Sequence, residues 1–248
     1  MATRLKQEKE QRRMYSELVW TWPIISPKED YIKPAKEFVA MIKDSSLIKT
    51  KTLLHLGCGG GHFDYTFKKY FKVSGVDISP GMLGLARKLN PEVNYLIGDM
   101  RNLKLRNEFD AVIIADSISY MLNERDLQKT FKTAFNHLKP GGVFATYAEE
   151  TKERFKHNSI YTTTHKQGNT EITLIENLYD AIPDDTLFES AFVYLIRKKG
   201  SLTIETDYHI LGLFSYNVWL KLLRKTGFKV IEKDFFKEKI PGFIGIKL

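Results

Sequence analysis

Leu53-Leu54-His55-Leu56-Gly57-Cys58-Gly59-Gly60-Gly61-His62 sets four glycines in five positions directly behind an apolar run. Glycine tolerates positive φ at no steric cost and leaves backbone bare for a ligand to touch. A tight strand-to-helix turn needs one such residue, so four point to a bound molecule. The dinucleotide fingerprint G-x-G-x-x-G asks for Gly or Ala at position 62, where this chain has His62. A phosphate-cradling P-loop asks for Gly-Lys-Ser/Thr, and none is present. Asp77 follows about twenty residues beyond Gly57, at the end of a second apolar run. A carboxylate placed there can accept hydrogen bonds from both hydroxyls of a ribose. Asp116, Ser117 and Tyr120 leave a fourth apolar run and Glu149 a fifth, while Tyr15 sits in the amino-terminal arm. No Ser-His-Asp, His-Glu-x-x-His or paired-carboxylate pattern stands out. Cys58 is the only cysteine, which excludes an internal disulfide and a Cys-based zinc cluster, and no metal is expected.

The elements that must position these groups alternate. Thr52–Leu56, Val73–Val76, Val93–Ile97, Ala111–Ala115 and Val143–Tyr147 read as strands, and Phe63–Phe71, Pro80–Leu89 and Glu124–Leu138 as the helices between them. Leu127, Phe131, Ala134 and Leu138 repeat at a helical spacing, and Ser79 before Pro80 is an N-cap with Pro at N1. Such alternation predicts a parallel sheet covered by helices on both faces. It then stops. Asn169–Ile182, Thr186–Lys199 and Ser201–Phe214 read as antiparallel strands divided by Pro183-Asp184-Asp185 and Gly200. Ser215 opens a helix that ends at Gly227, and Phe228–Ile231 and Phe243–Leu248 close the sheet. The expectation is an α/β, doubly wound, mostly parallel seven-stranded sheet with an antiparallel β insertion after strand five. Its parts are an arm or lid over 1–34, a core over 35–150 and 215–248, and an insertion over 151–214 that shapes an acceptor pocket or builds a dimer. Pro23 and Pro27 break any long helix in the arm.

The G-x-G-G-G loop after a strand resembles the first motif of class I S-adenosylmethionine-dependent methyltransferases. The likeness continues through Val76-Asp77-Ile78-Ser79, Gly98-Asp99-Met100, Phe109-Asp110-Ala111-Val112-Ile113-Ile114-Ala115-Asp116 and Leu138-Lys139-Pro140-Gly141-Gly142. Five motifs in order at the family's spacing make it specific. It is strong over residues 50–150 and moderate over the final helix and strands. The resemblance implies a cofactor pocket of His55, Gly57, Cys58, Gly59, Gly61, Asp77, Ile78, Met82, Asp99, Met100, Ala115 and Asp116. In it Asp77 takes the ribose, and Asp99 lies near the adenine amino group. His55 departs from the Asp or Glu that the family usually has there. A neutral imidazole still accepts one hydrogen bond, and a histidine merely packed at the strand end is the competing reading. The acceptor would lie above the carboxyl ends of strands four and five, facing Tyr120, Tyr15 and Glu149 as candidate catalytic residues.

The insertion and aromatic arm resemble small-molecule methyltransferases, including those acting on amino sugars, so methyl transfer to a small amine or hydroxyl acceptor is expected. Two other readings stay open. One is an RNA methyltransferase, favoured by 38 Lys+Arg against 30 Asp+Glu, a formal net charge of +8. Those charges are scattered, often beside Glu, and Ala115-Asp116-Ser117-Ile118 stands where nucleobase amino-methyltransferases show Asn/Asp-Pro-Pro-Tyr/Phe. Nucleic acid is therefore disfavoured as partner. The other is a non-catalytic S-adenosylmethionine-binding protein, kept open by His55. Hydrophobic residues at 43% and aromatics at 12% give a globular core. No run of 18 to 20 apolar residues suits a bilayer span, and the basic start leads into Tyr15-Ser16-Glu17 rather than a secretory h-region. A cytoplasmic location and a homodimer through the insertion complete the expectations.

Overall fold

The structure is a computed structural model that describes residues 11–236 and 239–248. The basic first residues, with Lys6-Gln7-Glu8-Lys9-Glu10, lie outside the described residues. Helices are α1 (Trp22–Ile25), α2 (Ile32–Ser45), α3 (Asp64–Phe67), α4 (Pro80–Leu89), α5 (Glu124–Asn136) and α6 (Tyr216–Thr226). The strands are β1 (Thr52–Leu56), β2 (Lys72–Asp77), β3 (Asn94–Ile97), β4 (Phe109–Ile114) and β5 (Leu138–Tyr147). They continue as β6 (Ser159–Gln167), β7 (Thr170–Tyr179), β8 (Leu187–Lys198), β9 (Ser201–Gly212), β10 (Lys229–Phe235) and β11 (Ile240–Ile246).

Seven strands form one sheet in the order β10-β11-β5-β4-β1-β2-β3. β1 to β5 run parallel, and β11 lies antiparallel between β5 and β10. This is the mostly parallel doubly wound sheet that the alternation predicts. Because side chains alternate along a strand, neighbours such as Leu53 and Leu54 enter different cores. On one face Phe38 and Ile42 of α2 pack with Phe67 of α3 and Leu83 of α4. On the other, Leu127 and Phe131 of α5 meet Trp219 and Leu223 of α6. Two helix starts and one helix end are held locally. Ser79 Oγ accepts from Met82 N at 3.1 Å for α4, Asn123 Oδ1 accepts from Asp126 N at 2.9 Å for α5, and Gly227 ends α6 at φ +111°.

Some boundaries differ from the sequence reading. The helix expected over Phe63–Phe71 keeps α-helical geometry only over Asp64–Phe67 before turning into β2. Leu138-Lys139-Pro140-Gly141-Gly142, read as a turn, is the opening of β5, with a register shift against β4 between Phe109 and Ala111. The insertion is a four-stranded meander, β6-β7-β8-β9, where three strands were read. β6 escaped because its Thr162-Thr163-Thr164 centre is exposed on both faces and so carries no apolar alternation.

The arm is wedged between the two sheets. Met14, Leu18, Ile24 and Ile25 pack with Met82 of α4 on one side and with Ile172, Phe192, Tyr194 and Ile196 of the meander on the other. Asp207 on β9 fastens it, accepting the backbone N–H of Arg13 at 2.8 Å and of Met14 at 2.6 Å. No helix among the described residues is long and apolar enough to cross a membrane.

Candidate active site

The carboxyl ends of β1, β2, β4 and β5 open into a cavity of about 680 Å³, roofed by the arm and the inner face of the meander. Its floor is the glycine loop. Gly57, Gly59 and Gly61 stand at φ +67°, +51° and +74°, where a side chain would be strained. A Cβ on Gly57 would lie 1.9 Å from Ser117 Oγ, and one on Gly61 2.7 Å from the Tyr95 hydroxyl. A Cβ on Gly59 would instead meet no protein atom within 4 Å. That open approach, bounded by polar groups, is the cradle a small cofactor needs. Cys58 N donates to Val76 O at 3.0 Å, which closes the loop onto β2, and its buried thiol is pushed up by desolvation.

His55 shows how this chain manages without an acid at the end of β1. Its ring is 1% exposed, and Nδ1 lies 2.7 Å from Asp64 Oδ1 at the start of α3. Asp64 Oδ2 accepts the Tyr95 hydroxyl at 2.9 Å. A carboxylate only accepts, so Nδ1 carries a proton toward Asp64. Nε2 is buried with no hydrogen-bond partner among the described residues, and His55 lines the cavity. The acid thus lies one residue back from the cavity, with the imidazole between them. Sequence reasoning missed Asp64, nine positions on, because nothing in its local pattern marks it.

Asp77 ends β2 with one carboxylate oxygen accepting Gly59 N and the other Ser79 N, each at 2.8 Å. It therefore shapes the loop as well as facing the cavity, and desolvation raises its pKa against those two bonds. Ile78 is exposed beside it, and Met82 is fully buried beneath. Asp99 and Met100 line the same side. The Asp99 carboxylate is gripped by the Arg101 guanidinium at 2.6 Å, which holds it below the usual carboxylate range. Ala115 and Asp116 leave β4 opposite the loop. Burial raises Asp116, whose carboxylate takes the Tyr147 hydroxyl.

The acceptor side holds Tyr15, Tyr120 and Glu149 together, with Glu176 from β7 and His209 from β9. Glu149 is raised by desolvation by the surrounding cavity walls, then by the neighbouring charges of Asp116, Glu176 and Glu150. Glu176 Oε1 accepts the Ser190 hydroxyl at 2.6 Å. The Tyr15 and Tyr120 hydroxyls are 2.8 Å apart, and Tyr120 reaches His209 Nδ1 at 2.7 Å. His209 Nε2 lies 2.8 Å from Asp207 Oδ2. Asp207 and His209 were not singled out from sequence. Their two-residue spacing on a strand was the available signal, since it sets both side chains on one face. Among the described residues, no group of three or more His, Cys, Asp or Glu side chains is arranged to hold a metal ion.

Residues 53–142 match the family model described as a methyltransferase domain. The chain is 25% identical over 227 residues to the dTDP-4-amino-2,3,4,6-tetradeoxy-D-glucose N,N-dimethyltransferase of Saccharopolyspora spinosa, covering 88% of this chain and 87% of that one. It is 31% identical over 121 residues to the dTDP-3-amino-3,4,6-trideoxy-alpha-D-glucopyranose N,N-dimethyltransferase of Streptomyces venezuelae, covering 46% of this chain and 51% of the relative. The fold is also that of Streptomyces venezuelae DesVI, with a TM-score of 0.83 at 20% identity over 96% of this chain and 99% of that one. The sugar N-methyltransferase of Streptoalloteichus sp. superposes with a TM-score of 0.81 at 19% identity, over 93% and 92% of the two chains. The ordered motifs, the glycine cradle at the carboxyl edge of the sheet and the matched domain agree: the chain carries a methyltransferase domain over residues 53–142 and is an S-adenosylmethionine-dependent methyltransferase.

Proposed function

We propose that the protein methylates the amine nitrogen of a small, sugar-like acceptor. The observation that carries this reading is the open cavity whose acceptor side presents Asp116, Glu149 and Glu176 beyond the glycine cradle. Three carboxyl groups there favour an ammonium over a phosphate or a nucleobase. The names of the relatives support the same class.

S-adenosylmethionine supplies an activated methyl group, transferred to nitrogen as its bond to sulfur breaks with the electron pair remaining on sulfur. The residues fit it. His55 would face its amino-acid end, Asp77 would accept its ribose hydroxyls, and Gly57, Cys58 and above all the open Gly59 would lie against its amino-acid part, whereas Gly61 packs on Tyr95 away from the cavity. Ile78, Met82, Met100 and Ala115 supply apolar walls. The Arg101 grip leaves Asp99 acting on the adenine side as part of an ion pair rather than as a free carboxylate. The chain's own task is positioning: the cavity fixes donor and acceptor in line and excludes water.

The test is incubation with S-adenosylmethionine and the dTDP-3-amino- and dTDP-4-amino-deoxysugars of the relatives, read by mass spectrometry. One or two added methyl groups are expected, with no transfer to bulk tRNA or rRNA. Tight cofactor binding without transfer to any amine would leave a non-catalytic binder; methylated RNA would overturn the acceptor class.

The arm (1–34), core (35–150 and 215–248) and insertion (151–214) are proposed as the working units. Copies are proposed to pair through the insertion, whose edge strands expose Ile160, Tyr161, Leu202 and Ile204. Light scattering should give a dimer, and a monomer at micromolar concentration would refute it. A cytoplasmic setting accords with a lone, buried, reduced Cys58.

A further inference from the structure

We propose that Asp207, His209, Tyr120 and Tyr15 form an oriented proton relay that takes the proton from the acceptor's ammonium nitrogen and stores it on His209. The proposal rests on the amine reading above. Four groups from three separate parts of the chain meet in a line. Tyr15 comes from the arm, Tyr120 from the turn after β4, and His209 and Asp207 from β9, with successive contacts of 2.8, 2.7 and 2.8 Å. Asp207, at 2% exposure, lies behind the cavity, while His209, at 1%, meets the cavity beside both tyrosines. The line thus runs from the acceptor space into the protein.

Chemistry fixes the direction of every bond in it. Asp207 accepts three backbone N–H groups, from Arg13, Met14 and Tyr208. Burial acts to raise its pKa, but His209 and these backbone donors outweigh that and hold the carboxyl ionised. An ionised carboxylate only accepts, so His209 Nε2 carries a proton. Nδ1 of the neutral ring is then a lone pair, and Tyr120 must donate to it. The Tyr120 oxygen in turn receives the Tyr15 hydroxyl hydrogen. The Tyr15 oxygen is left with a lone pair toward the cavity. Both phenols are driven upward by burial, so they remain hydroxyls and pass protons rather than keep them.

An ammonium has no lone pair and cannot attack a methyl group. When its N–H bond breaks, the electron pair stays on nitrogen and the proton moves to Tyr15. Tyr15 passes its own proton to Tyr120, and Tyr120 gives its proton to Nδ1. The net change is one proton from nitrogen to His209, leaving a neutral amine and an imidazolium beside the Asp207 carboxylate. This is the logic of an acid that orients and stabilises a histidine, extended by two hydroxyls. Once Nδ1 holds the proton, its N–H reverses every bond, and the relay accepts no second one. The titratable and charged groups around His209 are Asp207 on its own strand, Tyr120, Tyr15 and Arg12 from the arm side, Tyr194 from β8 and Glu176 from β7.

Two measurements test this, one independent of turnover. Long-range nitrogen–proton NMR of histidine-labelled protein with S-adenosylhomocysteine should show neutral His209 as the Nε2–H tautomer. An Nδ1–H tautomer overturns the relay whether or not the amine reading holds. His209→Asn, whose amide reaches the Nδ1 position but takes up no proton, should lower kcat roughly 100-fold near neutral pH. Cofactor affinity should change less than about threefold, and activity should recover as the medium itself deprotonates the amine above about pH 9. Tyr120→Phe, which leaves the Asp207–His209 pair intact, should behave alike. If the wild type methylates amines and both variants keep its kcat and pH profile, the relay is wrong while the amine reading stands. A loss that no rise in pH restores assigns the pair a purely structural role and equally refutes the relay.

Discussion

At the scale of single residues, His55 is proposed to hold the cofactor in place of the acid that the resemblance leads one to expect there. The buried Asp64 carboxylate orients the ring, and Nε2 is left buried without a hydrogen-bond partner among the described residues, in a side chain that lines the cavity. Asp77 does two jobs, and its loss should show in both. Asp77→Ala removes the acceptor for Gly59 N and Ser79 N together with the proposed ribose contact, so cofactor binding should weaken by about 1 to 3 kcal/mol, read by calorimetry. Unchanged affinity would remove Asp77 from the site. Glu149 gives the pH dependence. Desolvation by the surrounding cavity walls, with Asp116 next, raises its carboxyl, so it is neutral below that shifted titration and anionic above. An ammonium prefers the anion, hence acceptor KM should fall as pH rises through this step. Glu149→Gln should raise KM about tenfold, near 1.4 kcal/mol, and abolish the step. The glycine loop and Asp77 were legible in the sequence because φ and a strand end dictate residue type. His209, Asp207 and Asp64 were not, because their meaning lies in contacts between distant segments.

At the scale of elements, most of the doubly wound sheet could be read from period alone, since β1 and β4 are apolar on both faces and the helices on one. β6 could not, because an edge strand exposed on both sides bears no alternation. Nor could the placement of the meander, which depends on one close approach. Gly212 ends β9 against the turn carrying Tyr120, and a Cβ there would lie 2.1 Å from the Met121 carbonyl oxygen. Backbone cannot yield as a flexible side chain does. Gly212→Ala should therefore cost about 1 to 3 kcal/mol by overpacking and separate His209 from Tyr120. Urea unfolding should show a lower midpoint, with kcat falling more than cofactor affinity. An alanine variant as stable and active as the parent would show that this approach is not needed.

At the scale of the whole molecule, the arm joins two sites that different sheets build. On the cofactor side Ser79 Oγ donates to Tyr15 O at 2.7 Å, beside the Asp77 that faces the ribose position. On the acceptor side Asp207 holds the N–H groups of Arg13 and Met14, and Arg13 pairs with Glu205 at 2.9 Å. Apolar packing of Met14 and Leu18 between Met82 and the meander fills the space between. The arm is thus ordered by both halves at once, and loosening either anchor should free it. Hydrogen bonds to a charged group contribute about 1.5 to 3 kcal/mol each, so Asp207→Ala should raise the open fraction of the arm at least tenfold. Trypsin reads that fraction directly, because Arg12 and Arg13 lie at the anchored point and cleavage there follows the population of the opened form. Faster release of the amino-terminal peptide is expected from Asp207→Ala, while the rest of the chain resists digestion. Saturating S-adenosylhomocysteine should slow cleavage of the wild type, since binding stabilises the closed arm through the Ser79 anchor. Equal cleavage rates with and without Asp207 would mean that apolar packing alone seats the arm, and that its coupling to the meander does not pass through β9.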